Sequence, residues 1–149
     1  MNSLENFLTS RLIWAVASAW FLTQGVKAVV TFFQESKWRW RRFIEPGGMP
    51  SSHAAMVIAL LTGVGIKEGI LSTLFAVTLI FSLAIIYEAI GVRKKVEQQA
   101  RILNQIIGRL SQNEVKKDFR ETLGHKPLDV VIGSIIGFLT TWLWLKVNI

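Results

Sequence analysis

The sequence predicts an all-α fold: a polytopic membrane helical bundle of about four transmembrane helices plus one amphipathic cytoplasmic helix. Two observations carry this reading. Hydrophobic residues make up 51% of the 149-residue chain, yet its formal net charge is +7. Four long apolar runs hold most of that hydrophobicity, and the basic residues fall between them. Low hydrophobicity marks a disordered chain, so this is not one. A disulfide-stapled scaffold needs cysteines, and there are none. A soluble nucleic-acid binder of this charge would not carry such runs, so no nucleic-acid partner is expected. The length fits a single domain, 1–149.

The first run, 12–33, is broken only by Gln24 and Lys27. It is too long for the core of a cleaved signal peptide and no basic residue precedes Arg11, so it reads as a retained span. The second, 54–66, is uncharged but short, and reaches spanning length only if its helix starts near Pro50, giving a span of 50–66. The third, 70–87, spans outright and extends to about 90. The fourth, 130–145, is also short and needs to start near Pro127, giving a span of 127–145. None of the last three runs has the polar face of a soluble helix. Their shortness makes a homodimer plausible, and Gly133 and Gly137 form a small-xxx-small pair suited to close helix packing.

With four spans, Lys37, Arg39, Arg41, Arg42, Arg93, Lys94, Lys95, Arg101, Arg109, Lys116, Lys117, Arg120 and Lys126 lie on one side. Only Arg11, Lys67 and Lys146 lie on the other. Cytoplasmic loops carry the Lys/Arg excess. The expected localisation is therefore the inner (cell) membrane, with the loops 34–50 and 91–126 facing the cytoplasm and both termini outside. Within the insertion 94–122, Val96, Ala100, Leu103, Ile107 and Leu110 recur at helical spacing. Two roles fit this amphipathic helix equally: lying on the anionic inner surface, or forming a short seam to a second subunit.

Four clusters carry chemistry. Gln24, Lys27 and Thr31 form one polar stripe on the first span. Lys27 either snorkels to the interface or faces an anion inside the bundle. In Gly47-Gly48-Met49-Pro50-Ser51-Ser52-His53, the glycines permit a tight turn and close ligand approach, and Ser51 and Ser52 can cap an anion-binding helix start. His53 there can give a proton to a leaving group; the bland alternative is an ordinary capping turn. Glu88, at membrane depth, needs a cation such as Lys27 or Arg93, and Arg93 suits phosphate oxygens. Gly91 between them could simply mark a helix end. His125 and Asp129, four apart, share a helix face, so the carboxylate can orient the imidazole. A metal pair or a satisfied interfacial histidine are the rival readings. Two histidines and no cysteine disfavour a metal. All four clusters lie at the cytoplasmic ends of their helices, and together they describe phosphoryl transfer through a phosphohistidine.

On these residues the chain resembles the divergent type-2 phosphatidic acid phosphatase family, also described as acid phosphatase/vanadium-dependent haloperoxidase-related. The resemblance runs from about 12 to 145, and the Gly47–His53 string is its most specific part. The wider superfamily uses the motifs K-x6-R-P, P-S-G-H and S-R-x5-H-x3-D. Pro50, Ser51 and His53 match the second, with Ser52 in place of glycine. His125 and Asp129 match the end of the third. Arg93 is its preferred arginine, with Val92 in place of serine and the spacing opened by the insertion; Arg120 is the rival. The first motif is not present as written, with Lys27 and Arg42 its nearest counterparts. The carboxylate Glu88 stands where the divergent family usually has Asp.

The resemblance implies a membrane phosphatase needing no metal or other cofactor. Its nucleophile would be His125, oriented by Asp129, and its proton donor His53. Lys27, Arg42, Arg93, Ser51 and Ser52 would bind phosphate. The implied substrate is a phospholipid or isoprenoid phosphate: phosphatidic acid, phosphatidylglycerol phosphate or an isoprenyl phosphate. Two alternatives stand beside it: a non-catalytic phospholipid-binding or assembly protein that kept the pocket, and a membrane-bound phosphatase for soluble esters.

Overall fold

The computed structural model describes residues 10–35, 48–110 and 124–146. Among these residues all regular secondary structure is helical. The helices are α1 (Arg11–Glu35), α2 (Ser52–Glu68), α3 (Thr73–Ile90), α4 (Val92–Leu110) and α5 (Pro127–Lys146). The helix α2 is central and packs against α1, α3 and α5, while α1 also packs on α5.

Among the described residues three helical stretches are long and apolar enough to cross a membrane: Arg11–Phe33, Thr73–Arg109 and Pro127–Lys146. The second predicted span starts later than expected. Pro50 precedes the helix, Ser51 is its N-cap, and α2 runs only 17 residues. At about 1.5 Å per residue that is about 25 Å, somewhat short of a hydrocarbon core of about 30 Å. The third span is also trimmed, starting at Thr73 behind the N-cap Ser72, whose hydroxyl accepts from the Phe75 amide at 3.1 Å.

The burial pattern is reversed from that of a water-soluble bundle. α3 buries Thr78, Ser82 and Ala89 and exposes Leu74, Val77, Ile80, Phe81 and Leu83. α1 buries Ala15, Ala19, Thr23, Gln24, Lys27 and Ala28 and exposes Phe21, Leu22 and Phe33. Large apolar surface of this extent is not left facing water. Small and hydroxyl-bearing residues at helix contacts, with large ones outside, are what packing in lipid selects. The buried hydroxyls bond to helix carbonyls: Ser82 Oγ donates to Thr78 O at 2.7 Å and lies 3.2 Å from Val57 O, and Thr23 Oγ1 donates to Ala19 O.

Gly133 and Gly137 serve contact within the chain. A Cβ at Gly133 would overlap the Ser51 carbonyl oxygen, and one at Gly137 would overlap the Ala55 carbonyl oxygen. Ser51, the N-cap of α2, and Ala55 thus begin a run with Ala59 and Gly63, all small and four apart. The two backbones therefore nearly touch along the upper half of the bundle.

Gly91 does not end the helical path. It adopts αR angles (φ −93, ψ −73). Its N–H donates to Tyr87 O at 2.8 Å, and its carbonyl accepts from Lys95 N at 3.2 Å. The predicted insertion is helical from Val92 to Leu110, and 111–123 lie outside the described residues. Its predicted apolar stripe divides: Ala100 is buried, whereas Val96 and Leu103 are exposed.

Gly133→Leu is expected to lower stability by about 1–3 kcal/mol through overpacking against backbone. Gly25→Ala, with nothing within 4 Å of its added methyl, is expected to be neutral or stabilising. Thermal unfolding of both variants in detergent checks this, and a Gly133→Leu protein as stable as wild type would remove the close contact from the account.

Candidate active site

The starts of α2 and α5 lie side by side because a backbone hydrogen bond ties them. The Ser51 N–H donates to Asp129 O at 2.9 Å. Ser51 Oγ then accepts from the Ala54 amide at 3.3 Å as the N-cap. At α5, Pro127 occupies the first helical position, where its missing N–H costs nothing. The Asp129 carboxylate accepts from the Lys126 N–H at 2.8 Å, the return half of a capping box. Two helix N-termini, each with a partial positive charge, thus face one small volume.

Into that volume project two imidazoles. The rings of His53 and His125 have centroids 6.3 Å apart and an interplanar angle of 59°. His125 is 2% exposed. Among the described residues neither of its ring nitrogens has a hydrogen-bond partner, nor has His53 Nδ1. Unpartnered polar atoms this deeply buried are uncommon and costly, which makes them candidates for ligand contact. His125 Nδ1 lies 3.9 Å from Asp129 Oδ2. That is longer than a hydrogen bond, because the carboxylate is already engaged by the Lys126 amide.

Cations surround the pair. Lys27, 2% exposed on α1, points inward and does not snorkel. Gly48, at φ +81, runs over its stem, with the Lys27 Cγ and Cδ 4.0 Å from where a Cβ would stand. Arg93, at the start of α4, bonds through Nε to Glu88 Oε1 at 3.1 Å, so Arg93 is the cation that pairs with this half-exposed carboxylate. The rest of the guanidinium fork remains directed by this anchor. Lys27, Arg93 and Glu88 are the charges near enough to act on His53. Burial, then the Lys27 ammonium, push His125 down from the usual 6.5 to about 4, with smaller contributions from His53 and Arg93 and with Asp129 opposing. His125 is thus held as a neutral imidazole.

The segment carrying His125 is pegged by three consecutive amides. Gly124 N–H donates to Glu97 Oε2 of α4 at 3.1 Å. His125 N–H donates to Ala89 O, in the last turn of α3, at 3.3 Å. Lys126 N–H donates to Asp129, as above. The first two pegs are not apparent in the sequence. Glu97 stands four before Arg101 and pairs with it at 2.8 Å, so by spacing it reads as an ordinary surface pair.

Of the predicted site residues, Lys27, Ser51, Ser52, His53, Glu88, Arg93, His125 and Asp129 are brought to this end of the bundle. Arg42, and the rival arginine Arg120, lie outside the described residues. Among the described residues no three His, Asp or Glu side chains gather in a metal-holding group. Beside the site opens a cavity of about 230 Å³, lined by Val16, Met56, Val57, Leu60, Phe81 and Ile85, with His53 as its polar member. A cavity of about 400 Å³ around Thr62, Phe75, Phe138 and Trp142 sits toward the other end of α2 and contains no titratable group.

The reversed burial defines a helical membrane protein with cations and two histidines gathered at one end of its bundle. The chain belongs to the Divergent PAP2 family, whose model matches residues 8–140. It is 34% identical over 154 residues, 95% of each chain, to the "Uncharacterized membrane protein YuiD" of Bacillus subtilis (strain 168). No solved structure matches it.

Because His125 is charged more readily in the unfolded chain, which has the higher pKa, that chain binds more protons between pH 6.5 and about 4. Stability is therefore expected to fall as pH drops through that window. His125→Gln should flatten the fall, as read from unfolding temperature against pH in detergent; an unchanged slope would count against the buried neutral imidazole.

Proposed function

We propose that the protein is a metal-independent phosphatase acting on a lipid phosphate through a phosphohistidine. The observation that carries this reading is a pair of imidazoles 6.3 Å apart, beside Lys27, Arg93 and two helix starts, with His125 buried and with both its ring nitrogens, and His53 Nδ1, unpartnered among the described residues. His125 Nε2, the nitrogen turned away from Asp129, attacks phosphorus. The bond from phosphorus to the lipid oxygen breaks, and His53 gives that oxygen its proton. Water then attacks the phosphohistidine, returning a proton to His53 and releasing phosphate. Lys27, Arg93, Arg42 and the helix-start amides around Ser51 and Ser52 stabilise the charge on the phosphoryl oxygens. Asp129 steadies the imidazolium, closing its 3.9 Å gap once substrate fills the site; catalytic hydrogen bonds are often long in the empty state.

The apolar cavity that adjoins His53 supports a lipid over a soluble ester. Its walls are hydrocarbon from α1, α2 and α3, and it lies where the leaving group's chain would continue. Substrate classes with such a chain are phosphatidic acid, phosphatidylglycerol phosphate and isoprenyl phosphates. The engagement of Asp129 by the Lys126 amide favours the second reading, a phospholipid-binding protein that retains the pocket without turnover.

Phosphate release from a lipid-phosphate panel in detergent, with EDTA present, separates the two. Wild type is expected to be active and vanadate-sensitive, and His125→Ala to lose about 1,000-fold or more, as for a nucleophile. Leu60→Trp, which fills the cavity, is expected to depress turnover of lipids while sparing a short soluble phosphate ester. Equal release by wild type and His125→Ala would leave only the binding reading.

For topology we propose four spans, with α2 crossing despite its length, the site at the cytoplasmic face of the cell membrane, and both termini outside. The thirteen-to-three asymmetry of basic residues supports this orientation. A reporter fused after Ile149 that works only outside the cytoplasm is the expected result; activity in the cytoplasm would overturn it.

A further inference from the structure

We propose that Glu97 is a positioning residue for His125, and that the inserted helix α4 is the clamp that carries it. Glu97 sits on the second turn of α4 and its two carboxylate oxygens have different tasks. Oε1 meets Arg101 at 2.8 Å, while Oε2 accepts the Gly124 amide at 3.1 Å, twenty-seven residues along the chain. A hydrogen bond to an ionised acceptor is roughly twice as strong as a neutral one.

The same contact is set sterically from the other side. A Cβ at Gly124 would stand 2.9 Å from Lys94 Cα and 3.2 Å from Glu97 Oε2. The loop therefore lies flat on α4, one residue before His125, with no room for a side chain. The Ala89 carbonyl and the Asp129 carboxylate hold the next two amides. Of the three pegs, Glu97 is the one supplied by a side chain from outside the span ends. Its loss frees the N-terminal side of the His125 residue while leaving the imidazole, Asp129 and the cations in the protein. A nucleophile displaced by about 1 Å loses on the order of 100-fold in rate. The kinetic half of this inference rests on the phosphatase reading; the positional half does not.

The test uses the full chain in detergent, with phosphatidic acid in mixed micelles as substrate, and ¹⁵N-histidine spectra of the same samples. The chain has two histidines, so a His53→Gln sample assigns both signals. Glu97→Ala is expected to lower kcat about 10- to 100-fold with KM changed less than about threefold. It should also move the His125 titration from about 4 toward 6.5, as the ring leaves Lys27, His53 and Arg93 and gains water. Glu97→Gln, whose amide oxygen still accepts from Gly124, should recover most of both. Arg101→Ala, which removes only an exposed partner, should stay within about twofold of wild type. If Glu97→Ala fails to fold, Gly124→Ala decides, with the same loss in kcat expected. Wild-type kcat and wild-type His125 titration in Glu97→Ala, or an effect on KM alone, overturns the proposal. A wild-type protein inert on phosphatidic acid overturns the phosphatase reading, and the His125 titration in Glu97→Ala still decides the positioning.

Discussion

The close approach of α2 and α5 is the constraint on which the rest of the site depends. It exists because Gly133 and Gly137 lack the atoms that would hold the helices apart, and because Ser51 and Ala55 face them. Backbones at that distance let Ser51 N–H reach Asp129 O at 2.9 Å. That bond places the two helix starts, one carrying His53 and the other following His125, against each other. Among the described residues the ring nitrogens of His125 make no hydrogen bond. The meeting of the two helix ends, which the two glycines allow, is what brings the histidines together.

The reversed burial makes the site electrostatically effective. Leu, Ile and Phe of α1 and α3 face outward, so the interior is left to Ala, Ser, Thr and a few charged groups. In such an interior a charge acts over a longer range than it does in water. Lys27 can therefore help hold His125 neutral. Arg93 is steadied by Glu88 at 3.1 Å and still acts on both histidines.

The helical path from α3 into α4 ties membrane depth to His125. Gly91 bends within αR space and keeps hydrogen bonds on both sides. The last turn of α3 offers its Ala89 carbonyl to the His125 amide. The first turns of α4 offer Glu97. His125 is thereby located against α3, α4 and α5 together, and α2 brings His53 to the opposite side.

Much of this was legible in the sequence, and the residues show why. Uncharged runs mark apolar helices, because length and charge alone decide what lipid admits. Polar residues inside or at the ends of those runs, Lys27, Glu88, His53, His125 and Asp129, stand out because burying them needs a reason. Local rules also located Pro127 at a helix start and the Gly133/Gly137 pair at a close contact. Tertiary structure alone decided which surface those glycines meet, and that Glu88 pairs with Arg93 rather than Lys27. It alone decided that Gly91 continues a helix, that α2 starts at Ser52 and not at Pro50, and that Asp129 caps Lys126 while standing 3.9 Å from His125. Glu97 was hidden for the same reason. A carboxylate four residues from an arginine satisfies a local pattern completely, and nothing local reports that its second oxygen holds an amide twenty-seven residues away. Periodicity and charge are properties of neighbours along the chain, whereas partner choice among several cations, amides and small faces is settled by distances that exist only after the helices have packed.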